Sequence, residues 1–389
     1  MPTPANRRAS LDYRDYSALV LASAGGHDRL VDAIESHRDL DPDAMLYFAN
    51  SQHLGPWLAW CLDGPRASDC LPSRVLDALE TTRVENVARC ERIAGLSREL
   101  RAGLEADGLG PLFLKGLTHG ARLYGDPSRR YQADIDLLLP RIDIRRAIEV
   151  LGKLGYDTSR DASTGQPLAE RVEAMLAPGL GSKVRNSCTI IRDVRERVDL
   201  HWCIRTHYER AVPAARLWRG ARMLDVGGLE LPALGEENML LVLLLNIAAD
   251  LRKSRCRAKL FLELYQLCRS IDLPGGWGGF LDRRHDEGSE RLVVNVLALF
   301  LSMWRCGAEL PELRAELLGR ARQIETSDAD EALEIIMRPR DHEANRLWHA
   351  RVHPQSDAEA IYARMLRSPL RYAMRRLRPR RGASLLAAG

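Results

Sequence analysis

The chain has 389 residues, 46% apolar and 28% charged, the make-up of a globular protein with room for two or three domains and a large core. A formal net charge of +4 is small for this length and gives no global electrostatic case for nucleic acid; the longest apolar stretches, Met239 to Leu245 and Leu292 to Trp304, fall short of the roughly 20 residues a bilayer span needs. The eight cysteines form no Cys-x-x-Cys pair, which excludes zinc-ribbon spacing and suits reduced, partly buried thiols in a cytoplasmic protein.

The opening residues, MPTPANRRASLDYRDY, have no apolar run behind their arginines, so no signal peptide is expected. Aromatics are scarce at 6%, and the abundance of Leu, Ala, Glu and Arg favours helices over an all-β fold. Residues 1–105 read as an N-terminal helical region, with apolar positions at helical spacing in Leu30-Val31-Ile34, Met45-Leu46-Phe48 and Leu54-Trp57-Leu58. Its last helix, Pro72 to Ala106, has Val75, Leu79, Val87, Ile93, Leu96 and Leu100 as the expected inner stripe. The polar face reads as solvated or as a lid over the residues that follow.

Residues 106–234 form the candidate catalytic core. Leu112 to Leu114 read as a strand stopped by Lys115-Gly116, with a short helix after it and a polar turn around Gly125-Asp126-Pro127. A second strand carries Asp134-Ile135-Asp136. Alternation puts both carboxylates on one face, about 6–7 Å apart, a separation over which they can share divalent cations. Asp143 is placed to cap a helix through Leu154 that Gly155 ends, and a short strand is expected around Tyr156. Residues 159–182 read as a rim insertion around a helix from Leu168 to Leu176, placed for acceptor recognition. A hairpin follows, Ser187 to Arg192 and Arg197 to Ile204, with Asp199 and His201 on one face and Val198, Leu200 and Trp202 on the other. His201 reads either as orienting Asp199 or as a histidine bonded within the sheet rim. Gly227-Gly228 close a last hairpin, Ala221 to Val226 and Leu229 to Pro232.

Residues 235–389 read as a C-terminal helical region with a basic tail. Glu236 and Glu237 suit a helix N-terminus, Met239 to Leu251 is apolar nearly all round, and Ala258 to Cys268 forms the next helix. After Gly275 to Gly279 comes a further helical part with core positions in Leu292 to Trp304 and Leu333 to Met337. The arginine-rich tail, Arg364 to Arg381, reads as a solvated terminus or as a contact for RNA or anionic lipid.

Taken as an ordered set, Leu114-Lys115-Gly116, Arg130, Asp134-Ile135-Asp136-Leu137-Leu138, Gly155-Tyr156 and Val198-Asp199-Leu200-His201-Trp202 resemble the uncharacterised nucleotidyltransferase family of the DNA polymerase β-like superfamily, over roughly residues 110–270. The resemblance implies an α/β, helix-rich fold: a small mixed sheet flanked by helices. It implies Mg²⁺ (or Mn²⁺) held by Asp134, Asp136 and Asp199. The NTP phosphates would lie at the Gly116 turn, with Lys115 or Arg130 neutralising the pyrophosphate. Lys115 by itself reads equally as a lysine exposed at a strand end. The superfamily usually has Gly-Ser or Gly-Gly where this chain has Gly116-Leu117, and the family commonly has His at Asn246 and Asp at Glu263. The expected activity is transfer of a nucleoside monophosphate from an NTP to a hydroxyl on a small molecule, protein or RNA. The alternative is a catalytically silent accessory module that binds nucleotide or a partner protein.

Overall fold

The computed structural model describes residues 13–37, 40–176, 187–205, 211–252 and 256–320. The expected core positions Leu333 to Met337, the basic tail and residues 177–182 of the rim insertion lie outside them.

Five helices open the described chain: α1 (Tyr13–Ser23), α2 (His27–Ser36), α3 (Pro42–Ser51), α4 (Gly55–Cys61) and α5 (Ala67–Cys70). The 34-residue α6 (Ser73–Ala106) follows, about 50 Å long at 1.5 Å per residue. It bridges two apolar cores. Val75 and Leu79 pack with α1–α5, whereas Cys90, Ile93, Leu96, Leu100 and Leu104 pack against the sheet. Val87 was expected on the inner stripe but is only half-buried; Asn86 is buried in its place. The reason is polar. Asn86 donates to the carbonyls of Ser128 (2.6 Å) and Arg130 (3.0 Å), so α6 crosses a loop there and not an apolar layer.

The sheet has six strands in the order β3-β4-β2-β1-β8-β7. These are β1 (Leu112–Phe113), β2 (Ile135–Leu138), β3 (Ser187–Asp193), β4 (Glu196–His201), β7 (Arg222–Asp225) and β8 (Glu230–Ala233). A separate ribbon pairs β5 (Cys203–Arg205) with β6 (Ala211–Pro213). The six-stranded sheet is mixed: β2 runs parallel to β4 and β1 parallel to β8, and the other pairs are antiparallel. Strand alternation divides its faces. Phe113, Ile135, Leu137, Val198, Leu200 and Leu231 bury on the α6 side. Leu112, Leu114 and Leu138 bury on the other, in a core shared with the N-terminal helices and with α11 (Glu236–Arg252), α12 (Ala258–Ser270), α13 (Gly276–Asp286), α14 (Glu290–Trp304) and α15 (Pro311–Leu318).

The helices within the sheet region are α7 (Leu117–Tyr124), α8 (Ile144–Lys153), α9 (Leu168–Leu176) and α10 (Ala214–Trp218). Two local expectations change. Asp143 occupies the N-cap position of α8, but its side chain makes no cap, because a 3₁₀ turn at Arg141–Asp143 leads into the helix instead. The next helix was expected after the glycine run at Gly275 to Gly279 but starts within it: α13 begins at Gly276, and Trp277 and Phe280 bury. Among the described residues, no helix is long and apolar enough to cross a membrane. All eight cysteines are free thiols, seven of them buried.

Candidate active site

The site grows from register. Asp136 of β2 lies directly beside Asp199 of β4, with Leu138 beside His201. Parallel neighbours at one register present their side chains on one face, so the two carboxylates meet and His201, two residues on, joins them. One ligand atom from each of Asp136, Asp199 and His201 falls within 4.8 Å of the other two. These side chains share the sheet face of Leu112, Leu114 and Leu138, at the border between sheet and helical core.

His201 leans towards β2 and not towards Asp199. Its Nε2 lies 3.0 Å from Asp136 Oδ1, and Lys115 donates to the same oxygen at 3.4 Å. Burial would raise the Asp136 carboxyl, but Lys115 and His201 outweigh it and hold the group well below the usual carboxylate range. Burial works against the Lys115 ammonium as well, yet Asp136 and Asp134 raise its pKa. Asp199 is fixed from its own hairpin: Thr189, its cross-strand partner, donates to Oδ1 at 2.7 Å, and Arg197 donates to Oδ1 at 3.2 Å and Oδ2 at 3.3 Å. Neither Thr189 nor Arg197 stands out in the sequence. The cross-strand pairing that the hairpin turn fixes, and the two-residue spacing of Arg197 from Asp199, are the signals that could have found them.

Asp134 sits one residue before β2, beside this closest trio and not within it. Burial, then the charges of Asp136 and Asp199, push its carboxyl up to about 6. Gly116 lies against it. At φ +67° Gly116 occupies the left-handed region, and a Cβ there would stand 3.0 Å from Gln132 Oε1 and 3.7 Å from the Asp134 carbonyl. It is the N-cap of α7, whose first amides have no side-chain cap. Uncapped amides at a helix start are suited to an anion.

The two arginines after the polar turn point elsewhere. Arg129 stacks its guanidinium 3.8 Å from the Trp60 ring centre. Arg130 is buried and donates to both oxygens of Glu263 on α12, at 3.0 and 3.3 Å. The structure therefore brings together Lys115, Gly116, Asp134, Asp136, Asp199 and His201, and ties Arg130 to Glu263 behind them.

α7 is held close by Gly120, where a Cβ would meet Pro127 Cα at 2.5 Å. Gly120→Ala forces the helix away from the turn and is expected to destabilise the chain by about 1–3 kcal/mol, read by urea denaturation. Next to the site, the described part of the rim insertion runs along β3, where Ala162 N donates to the Thr189 carbonyl at 2.8 Å.

The donor set of carboxylates and an imidazole fits a divalent cation, Mg²⁺ or, with the nitrogen included, Mn²⁺. No curated protein and no solved structure matches this chain. The family model described as uncharacterised nucleotidyltransferase matches residues 38–305, taking in helices on both sides of the sheet as well as the motifs, and the chain belongs to that family.

Proposed function

We propose that the chain moves a nucleoside monophosphate from an NTP to a hydroxyl acceptor at the Asp134, Asp136 and Asp199 site. One observation carries this reading: Asp136 and Asp199 stand side by side on parallel strands, next to an uncapped helix start at Gly116. The carboxylates would hold Mg²⁺ or Mn²⁺, which supplies charge neutralisation at the phosphates and lowers the pKa of the attacking hydroxyl. In the reaction the acceptor oxygen bonds to the α-phosphorus, the bond from that phosphorus to the bridging oxygen breaks, and pyrophosphate leaves. The Gly116 turn and the first α7 amides bind the β- and γ-phosphates. Lys115 neutralises the leaving charge; its support is the 3.4 Å approach to Asp136, whereas the guanidinium of Arg130 is engaged by Glu263. Asp199 takes the acceptor proton at Oδ2, which among the described residues accepts only from Arg197 at 3.3 Å, whereas Oδ1 accepts from both Thr189 and Arg197. Thr189 and Arg197 keep that carboxylate in place.

Purified protein incubated with each α-labelled NTP, Mg²⁺ or Mn²⁺, and cell extract as acceptor source is expected to transfer label. Metal-dependent NTP binding with no transfer to any acceptor would replace this reading by that of the accessory module.

Cation binding carries a pH signature. The folded Asp134 carboxyl, at about 6, lies above its unfolded value of 3.8, so the protonated form contributes stability that is lost as pH rises through that window. A cation must displace this proton. Mn²⁺ affinity measured by calorimetry is expected to rise by up to about tenfold per pH unit below 6 and to level off above it. Asp134→Asn should flatten that part of the profile; an unchanged slope would remove Asp134 from the cation site.

A further inference from the structure

A second cluster of charge lies on the loop that leads into the acids. The ring of Tyr131, three residues before Asp134, packs against His53 with centroids 4.1 Å apart. The Arg89 guanidinium of α6 sits 4.8 Å from the Tyr131 ring centre. The Lys259 ammonium of α12 lies 6.0 Å from that centre and donates to the Tyr131 carbonyl at 3.1 Å. Arg257, the N-cap residue of α12, donates to His53 Nε2 and to the Ser51 carbonyl. Two stretches of chain, α6 and the start of α12, thus deliver three cations to the stacked pair of Tyr131 and His53: Arg89 and Lys259 at the tyrosine ring and Arg257 at the imidazole.

Their partners are all neutral. Arg89 donates to Asn86 Oδ1, Arg257 to a carbonyl and an imidazole, and Lys259 to a carbonyl. Among the described residues none of the three is paired with a carboxylate, although arginines elsewhere in the fold commonly are, as Arg130, Arg192 and Arg284 show. All three are half-buried, so solvent screens their mutual repulsion only in part. The surplus registers on the neighbours. Burial, then Arg257 and Lys259, hold His53 down to about 3, and burial, then Arg130, hold Lys259 down to about 7. His53 also adopts φ +59°, a left-handed backbone that non-glycine residues seldom take outside constrained sites.

Glu263 and Asp134 offset part of the charge on Lys259, but Lys259 stays depressed and neither arginine has a carboxylate partner among the described residues. The remaining surplus of positive charge is stabilised by an anion. We propose that Arg89, Arg257 and Lys259, gathered on the stacked rings of Tyr131 and His53, form a binding site for a phosphate group at the edge of the acid site. The guanidiniums supply forked donors and Lys259 a point charge, a combination suited to a tetrahedral, multiply charged oxyanion. The assignment of that phosphate to a substrate rests on the transferase reading, and two sources share its chemistry: the donor's own phosphates, or a phosphate carried by the acceptor. The cation cluster itself stands without that reading.

The test is calorimetric titration of the full chain with pyrophosphate in EDTA. Wild type is expected to bind, and Lys259→Met and Arg89→Gln, which alter different elements, are each expected to bind at least tenfold more weakly. EDTA removes the divalent cation, which separates this binding from the transferase reaction, and Arg145→Gln, at an exposed arginine of α8 paired with Glu173, should bind pyrophosphate as wild type does. Thermal midpoints of every variant, read in the same buffer, distinguish lost affinity from lost fold; should Lys259→Met unfold, Arg89→Gln carries the test. Affinity unchanged in both variants, or no pyrophosphate binding by wild type, overturns the proposal. With Mg²⁺ restored, competition between ATP and pyrophosphate for the site assigns it to the donor. Additive binding of the two assigns it to a phosphorylated acceptor.

Discussion

Asp136→Asn is expected to lower nucleotidyl transfer by about a thousandfold or more while leaving the chain folded. Asp136 is the group on which the site converges: its Oδ1 accepts from both His201 and Lys115, and its backbone stands in register with Asp199. Asn keeps the shape of Asp and one carbonyl oxygen, so packing at the sheet border survives, but the negative charge is gone. Cation-assisted stabilisation of the phosphoryl transition state supplies several kcal/mol, and each 1.36 kcal/mol is a factor of ten, which gives about three decades. Asp199→Asn should cost a comparable factor and in addition loosen the hold of Thr189 and Arg197. The check is single-turnover label transfer by wild type and both variants at saturating Mn²⁺, with circular dichroism confirming the fold. Transfer within tenfold of wild type in Asp136→Asn would leave the acids without the role proposed for them.

How much of this was legible beforehand depends on the range over which each feature is encoded. Lys115-Gly116 before a helix, the period-two strand Asp134 to Leu138, and Gly227-Gly228 between two strands are local signals; each corresponds to an observed element, because a few consecutive residues decide the backbone there. The meeting of Asp199 with the earlier acids was expected from the family resemblance, but the finer consequences of register between distant strands were not legible. His201 shares a face with Asp199 by alternation, yet only the parallel pairing of β2 with β4 brings it to Asp136. The same holds for the α6 stripe. Helical periodicity favours Val87, but the helix passes from one core to another at that point, and the loop carbonyls it meets require Asn86. The longest-range feature was the least visible. Arg130 reads as a cation beside the acids until the fold puts a carboxylate 133 residues away against it.

That pair sets the second large effect. Glu263 is fully buried, accepts two hydrogen bonds from Arg130 and a longer one from the Tyr124 hydroxyl at 3.4 Å, and has His119 Nδ1 3.8 Å from its second oxygen. Burial would raise this carboxyl; Arg130 outweighs it and holds the group well below the usual range. Glu263→Ala leaves the Arg130 guanidinium buried without a counter-charge, and removing one member of such a pair costs about 3–5 kcal/mol, expected as a lower urea midpoint at pH 7. The sign with pH follows from the lowered value: the stabilisation is complete above the unfolded carboxyl pKa of 4.5 and is lost as pH falls through the folded value. The gap between wild type and Glu263→Ala should therefore persist at neutral pH and narrow only in strong acid. Removing both charges tests the cause. Glu263→Leu with Arg130→Met takes away the unpaired ion along with the pair, so the double variant should be more stable than Glu263→Ala. If it is no more stable, packing and not charge holds α12 against the loop that carries Asp134.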